Sequence, residues 1–352
     1  MKKLFMFFIA VALIAAFSVP ATAGDAEWNF YGSARMATFS IDNSKEMNTG
    51  GHTPPTSDRD TQWALQGNSR IGARVSAGDV GGRFEYGSTP NLRLLYGTWN
   101  FGAGQLLVGQ GYVPVNIFIS NQVFGSDTDM LNTGGVYGGR QPMIRLKFGD
   151  FVFAMVTPGT TVPVTGLAGQ EVDTVLPKLE LAYTFKTDMF SVGVIAGYNS
   201  VEIDTDGKDY SVDSYVAGLW GSINLGPAYI KANVAQEQNP GNYGLFIAGD
   251  GAANFAGGKV KDTSSLAYLA VAGVKLGDAI NIEGGYGVLS HESDVAGEKD
   301  DDTTAYYVQC TIGLAPGVMI IPEFGVIDYD KNAANVKEGD TTYFGAKWQI
   351  NF

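Results

Sequence analysis

The sequence is short of several things, and each shortage removes a class of protein. There is one cysteine, Cys310, in 352 residues, so no disulfide can close within the chain. There are two histidines, His52 and His291, in polar, loop-like stretches. No cysteine or second histidine lies at ligand spacing from either, so both read as solvated loop residues and no metal or cofactor is expected. Hydrolytic chemistry wants a general base within reach of a nucleophile or a held water. Neither histidine falls in a segment that reads as a strand and no Gly-x-Ser-x-Gly occurs, so no catalytic residues and no enzyme are expected. Charged residues are only 17% of the chain, below the usual quarter. What charge there is sums to −13, which argues against a nucleic-acid partner. Long apolar runs are missing too, apart from Leu4–Val19, so no transmembrane helix is expected in the body of the chain.

That single run has the marks of a targeting segment. Lys2 and Lys3 precede it, and Ala21-Thr22-Ala23 follows as a small-residue cleavage site. The run is short for a spanning helix. Residues 1–23 are therefore expected to be a signal peptide, and residues 24–352 one domain.

What is plentiful is glycine, 47 residues, with 17 tyrosines and 20 phenylalanines, in segments that alternate with period two. In Trp63–Ser76, Trp63, Leu65, Ile71, Ala73 and Val75 share one face, while Gln66, Asn68, Arg70 and Arg74 share the other. In the last segment, Phe344, Ala346, Trp348, Ile350 and Phe352 oppose Tyr343, Lys347, Gln349 and Asn351. Sixteen such segments run from Trp28–Ser40 to Thr341–Phe352, about 21 residues apart, enough for one membrane crossing and one connection each. The connections sort by length. One set is tight and rich in turn formers, as in Gly78-Asp79, Gly226-Pro227 and Ala315-Pro316-Gly317. Most of the other set are long and polar. Short turns at one end and long loops at the other mark an outer-membrane barrel, and closure pairs every backbone polar group within lipid. The expected fold is all-β, a 16-stranded antiparallel transmembrane barrel.

The stretch Tyr112–Arg140 breaks the pattern. Nearly thirty residues between two strands show no sustained alternation, yet they include Ile117, Phe118, Ile119, Phe124, Met130, Leu131 and Tyr137. A connection of that length is functional or disordered, and this one is too apolar for disorder. It is expected to fold into the lumen, with Asp127 and Asp129 at the narrowest point, and no other loop is long and apolar enough to enter. Facing them, Arg35, Arg70, Arg74, Arg145 and Lys147 lie on polar strand faces. An arginine on the lipid face would cost about 2–4 kcal/mol at mid-membrane, which favours the lumen. Cations opposite carboxylates across an aqueous slot make a transverse field that sorts solutes by charge and dipole.

Phe30-Tyr31-Gly32-Ser33, Ser69-Arg70-Ile71-Gly72, and Leu92-Arg93-Leu94 with Val108-Gly109-Gln110 stand in that order along the chain. They resemble, in turn, the first strand, the second strand, and the fourth and fifth strands of a known family, the general diffusion porins of Gram-negative outer membranes. The chain ends, like the family, in phenylalanine, Phe352. Thr128-Asp129-Met130-Leu131 is similar to the constriction loop, with Asp129 on a family carboxylate; the chain departs at Thr133, where the family has a second carboxylate, and at Gln110, where it has arginine. The resemblance implies a homotrimer in outer-membrane lipid and lipopolysaccharide, with Phe352 read by the barrel assembly machinery. The function it implies is passive diffusion of small hydrophilic solutes and ions. Alternatives are a channel specific for sugars or anions, and a sealed barrel serving as adhesin or structural anchor. The sign of ion selectivity stays open.

Overall fold

The computed structural model describes residues 26–47, 58–89, 91–159, 164–167, 171–174, 176–205, 208–249 and 251–352. Residues 1–23 and His52 lie outside them. The chain makes sixteen membrane crossings in a closed antiparallel barrel. The first five are Glu27–Asn43, then Asp58–Leu65 continued by Arg70–Ala77, Val80–Gly87, Leu92–Asn100 and Gln105–Tyr112. The sixth to eleventh are Arg140–Phe148, Phe151–Val156, Lys178–Lys186, Phe190–Thr205, Lys208–Leu225 and Ala228–Gln238. The last five are Thr263–Leu276, Ile280–Ser293, Asp301–Ala315, Val318–Asp328 and Asp340–Asn351. Each crossing pairs with the next, and the first pairs with the last from Ser33↔Asn351 to Asn43↔Thr341, which closes the cylinder. Closure leaves no edge to solvate, as a bilayer demands.

Alternation does what the sequence predicts. Ile71, Leu95, Val108, Leu219, Ile230 and Val308 face outward and exposed, while Arg35, Glu85, Glu180, Glu283 and Glu323 on their own crossings face in. The tight turns sit at one end with both strand termini. Gly78, Gly102, Gly149, Gly226, Gly277 and Gly317 take positive φ there, a conformation glycine adopts without a Cβ penalty. Exposed Trp28, Phe30, Trp348 and Phe352 surround that end, where amphipathic rings suit the headgroup level. The Phe352 carbonyl accepts from Gly32 N at 2.6 Å and its N–H donates to Gly32 O at 3.1 Å, so the last residue completes the ring.

Three expectations need correction. The second crossing is not continuous: residues 66–69 leave the ladder between Leu65 and Arg70. Gln66 turns inward to donate to Val123 O at 3.0 Å, which explains the break. His291 is not a solvated loop residue. It lies in the thirteenth crossing, 3% exposed, bonded through Nδ1 to Ser265 Oγ at 2.5 Å and through Nε2 to Ala248 O at 2.8 Å. Thirdly, Tyr112–Arg140 is not the only segment to enter the lumen. The connection after Gln238 folds in over it, with Phe246 N bonded to Tyr137 O at 3.0 Å and Ala248 N to Asn132 O at 2.9 Å.

Candidate functional site

The inward loop starts with an alternation of its own. Val113, Val115, Ile117 and Ile119 are all buried, while Phe118 between them is 50% exposed to the lumen. Val115, Ile117 and Ile119 pack with Met130 and Val136 against Ile195, Val216, Ala235, Leu269 and Leu289 of the wall, while Val113 packs on Leu107, Met143, Ala154 and Val156 at the root of the loop. Burying each such side chain contributes about 1.5–3 kcal/mol, so the loop is held as a second layer rather than a free flap. Gly134 has φ +86°, and a Cβ there would collide with the Tyr268 carbonyl, so only glycine allows so close an approach.

Its backbone is pinned by three wall carboxylates. Glu180 accepts from Val115 N at 2.8 Å, and Glu283 from Asn121 N at 2.9 Å and Asn121 Nδ2 at 2.7 Å. Glu323 accepts from Val123 N at 2.7 Å and Phe124 N at 2.9 Å. Lys231 and Asn233 answer from the eleventh crossing, bonding Ile119 O at 2.9 Å and Gly134 O at 2.7 Å. Phe124 then stacks on Tyr343 of the last crossing at 3.8 Å. The loop therefore hugs the wall from the eighth crossing round to the sixteenth. The open lumen that remains is bounded by the first six.

The helical turn Phe124–Asp127 delivers the first carboxylate. Asp127 pairs with Arg35, with Lys347 Nζ at 2.9 Å and with Asn68 Nδ2 at 2.6 Å. Asp129, at φ +56°, forms no hydrogen bond or ion pair among the described residues. Burial, and then the neighbouring charge of Asp127, push its carboxyl well above the usual carboxylate range. Both acids line a cavity of about 230 Å³ that also has Arg35, Arg70, Arg93 and Arg140 in its wall. Arg140 stands 5.6 Å from the Tyr112 ring centroid, and its Nη1 is buried without a hydrogen-bond partner among the described residues. Phe118 and Phe246, both half-exposed, complete the rim.

Glu85 organises the cations. It is fully buried, 2.7 Å from Arg93 Nε, 3.0 Å from Arg83 and 3.7 Å from Arg70, and it accepts from Tyr31 OH at 2.8 Å. One carboxylate thus holds three guanidinium groups fanned along the wall.

Of the residues singled out from sequence, Asp127, Asp129, Arg35 and Arg70 come together at this slot. Arg74 and Arg145 line a different cavity nearer the turn end. Lys147 is exposed, opposite Gln105 and Val152, and meets neither aspartate. Arg93, Arg140, Glu85 and Lys347 belong to the site or its support and were not singled out. The mid-strand acids that dock the loop were missed as well. A lone Glu on the inner face of an otherwise apolar crossing, as in Ile282-Glu283-Gly284 and Pro322-Glu323-Phe324, is a sequence signal for them.

A family model described as Gram-negative porin matches residues 10–335. Among solved structures, the outer membrane channel DcaP of Acinetobacter baumannii superposes with TM-score 0.75 at 16% identity, covering 95% of this chain and 99% of that one. OmpT of Vibrio cholerae gives 0.60 at 16% identity over 95% and 99%, and the anion-selective porin from Comamonas acidovorans 0.61 at 13% over 93% and 100%. No curated protein sequence matches. With the closed barrel and the inward loop already in place, the chain belongs to the Gram-negative porin family and is an outer-membrane channel for passive diffusion of small hydrophilic solutes.

Proposed function

We propose that the slot favours small hydrophilic anions over cations. The observation that carries this is the charge count at the constriction. Arg35, Arg70, Arg93, Arg140 and Lys347 stand against Asp127, Asp129 and Glu85. Asp127 is matched by Arg35 and Lys347, and Asp129 resists ionisation, so the surplus is positive. In a water-filled pore salt screens within about 8–10 Å, so charges at the narrowest point outweigh the chain's acidic total. Carboxylates elsewhere have less leverage on passing ions. The test is the zero-current potential of the purified protein in a planar bilayer across a potassium chloride gradient. A chloride-directed potential is expected; a potassium-directed one overturns the reading.

A second reading rests on Phe118 and Phe246, apolar faces exposed beside the slot. They suit stacking of a sugar ring, and faster liposome swelling with neutral sugars than with anions of equal size would favour it. For assembly, residues 1–23 are removed on export, Phe352 serves the insertion machinery, and the apolar outer face meets lipid, lipopolysaccharide and two further copies. A trimer form is known for the fold relative OmpT of Vibrio cholerae. Native mass measurement in mild detergent should give a trimer, and monomer alone would refute it.

A further inference from the structure

Below the constriction lies a second chamber, about 580 Å³, toward the turn end. Its wall includes Arg74, Arg83, Arg145, Tyr96 and Gln105, with Glu27 as the one carboxylate among the described residues. The arginines there are placed at a cost. Arg74 and Arg83 stand directly opposite across the second and third crossings, an arrangement of like charges that destabilises a strand pair. Arg83 is compensated by Glu85 at 3.0 Å and by the Tyr31 hydroxyl at 2.9 Å. Arg74 is exposed to the chamber, and among the described residues its partner is the face of Tyr31, 5.5 Å from the ring centroid. Arg145 forms no ion pair among the described residues, and its Nε is buried without a hydrogen-bond partner. A buried donor left unpaired is destabilising. Among the described residues no loop amide or carbonyl bonds these side chains, unlike the wall of the eighth to sixteenth crossings.

The register gives the spacing. Arg145 opposes Leu107, Leu107 opposes Thr98, Thr98 opposes Gly81 and Gly81 opposes Ser76, two residues along the strand from Arg74. Four inter-strand steps amount to about 19 Å of curved wall, with both side chains reaching inward from it. A monovalent ion meets one arm at a time. A small anion with several oxyanion groups meets both.

The geometry points to a second anion-binding station at the turn end of the pore, in which Arg74 and Arg145 hold a multivalent oxyanion that has passed, or is about to pass, the constriction. The inference rests on the anion reading of the slot and deepens it: the solute class is small anions carrying two or more carboxylate or phosphate groups. Arg83, tied to Glu85, contributes charge; Arg74 and Arg145 contribute the free donors.

Citrate and inorganic phosphate are the probes, added to the turn side of the full-length protein in a planar bilayer, with residence read from single-channel current blocks. Arg74→Gln with Arg145→Gln should shorten citrate residence at least about tenfold, since charge-assisted hydrogen bonds contribute roughly 1.5–3 kcal/mol each. The sign of the potassium chloride potential should stay as in the unaltered protein. Unchanged citrate residence overturns the station, whereas a potassium-directed potential in the unaltered protein overturns the anion reading above. The two failures are therefore distinct. Should the double variant not insert, phenylglyoxal modification of the unaltered channel decides. Citrate should protect Arg74 and Arg145, as read by peptide mass. Protection of Arg140 without protection of Arg74 and Arg145 refutes the station.

Discussion

The two sides of the lumen use opposite charges for opposite purposes. From the eighth to the fifteenth crossing the inner wall carries Glu180, Glu283 and Glu323, all buried, and all spent on loop amides. Over the first six crossings it carries arginine, and two of those side chains keep a nitrogen with no partner among the described residues. The hydrogen-bond inventory explains the division. A carboxylate only accepts, so it can satisfy the N–H groups of a backbone laid against it; a guanidinium only donates and leaves those N–H groups unmet. The acidic side can therefore be covered by chain, while the basic side stays open to water and to anions from outside. Asp127 sits at the seam, on the loop but paired with Arg35 and Lys347 where the two sides meet.

The largest effect should come from undoing the docked side. Glu323→Ala removes the acceptor for both Val123 N and Phe124 N, at about 1–3 kcal/mol for each buried group left unpaired. The turn bearing Asp127 then loses its anchor. Single-channel recordings should show mean conductance altered about twofold or more, with rapid flicker, and the barrel should unfold at a lower temperature. A current as steady as that of the unaltered protein would sink the docking account.

A smaller, cleaner change should come from the open side. Arg140→Gln removes a cation whose Nη1 has no partner among the described residues, so little is left stranded. Stability should stay within about 0.5 kcal/mol, as for substitutions away from packed or paired groups. The zero-current potential should move toward cations, with open-channel current nearly as before. Arg93→Gln gives the contrast, because it strips Glu85 of its 2.7 Å partner and should destabilise as well as shift selectivity. If both variants lose stability equally, the two arginines are not divided between slot and scaffold as described.

The barrel was largely legible, because alternation and the sorting of turns from loops are local signals. Trp63–Ser76 shows where local reading stops. Its alternation is real, but Gln66 is drawn out of register by Val123, a contact across 57 positions. The loop was legible as an inward fold from its apolar content, yet the alternation Val113, Val115, Ile117, Ile119 was passed over because it is brief and includes Pro114. His291 could not be placed, since its burial depends on Ala248 arriving from another loop. One signal was present and unread. All eight arginines lie between Arg35 and Arg145, which confines the guanidinium groups to the early crossings.

The finest effect tests the seam. Burial and the charge of Asp127 raise the Asp129 carboxyl, so this group is neutral over a wider range than a free aspartate. A carboxyl with a raised pKa carries its negative charge only once pH rises through that value. Above it, Asp129 subtracts from the positive surplus at the slot; below it, the surplus is undiminished. Anion preference should therefore strengthen as pH falls through the raised value, and the change should be larger in low salt, where screening is weaker. Asp129→Asn fixes the neutral state at nearly constant volume. The variant should match the unaltered channel at acid pH, exceed it in anion preference at alkaline pH, and leave the passage of neutral solutes as it was. Asp127→Asn should behave differently, since it strands Arg35 and Lys347 and loosens the turn. Zero-current potentials recorded from acid to alkaline pH in both variants separate the two acids. Identical profiles would mean that Asp129 is ionised and paired like its neighbour, and that the loop presents one kind of carboxylate to the pore rather than two.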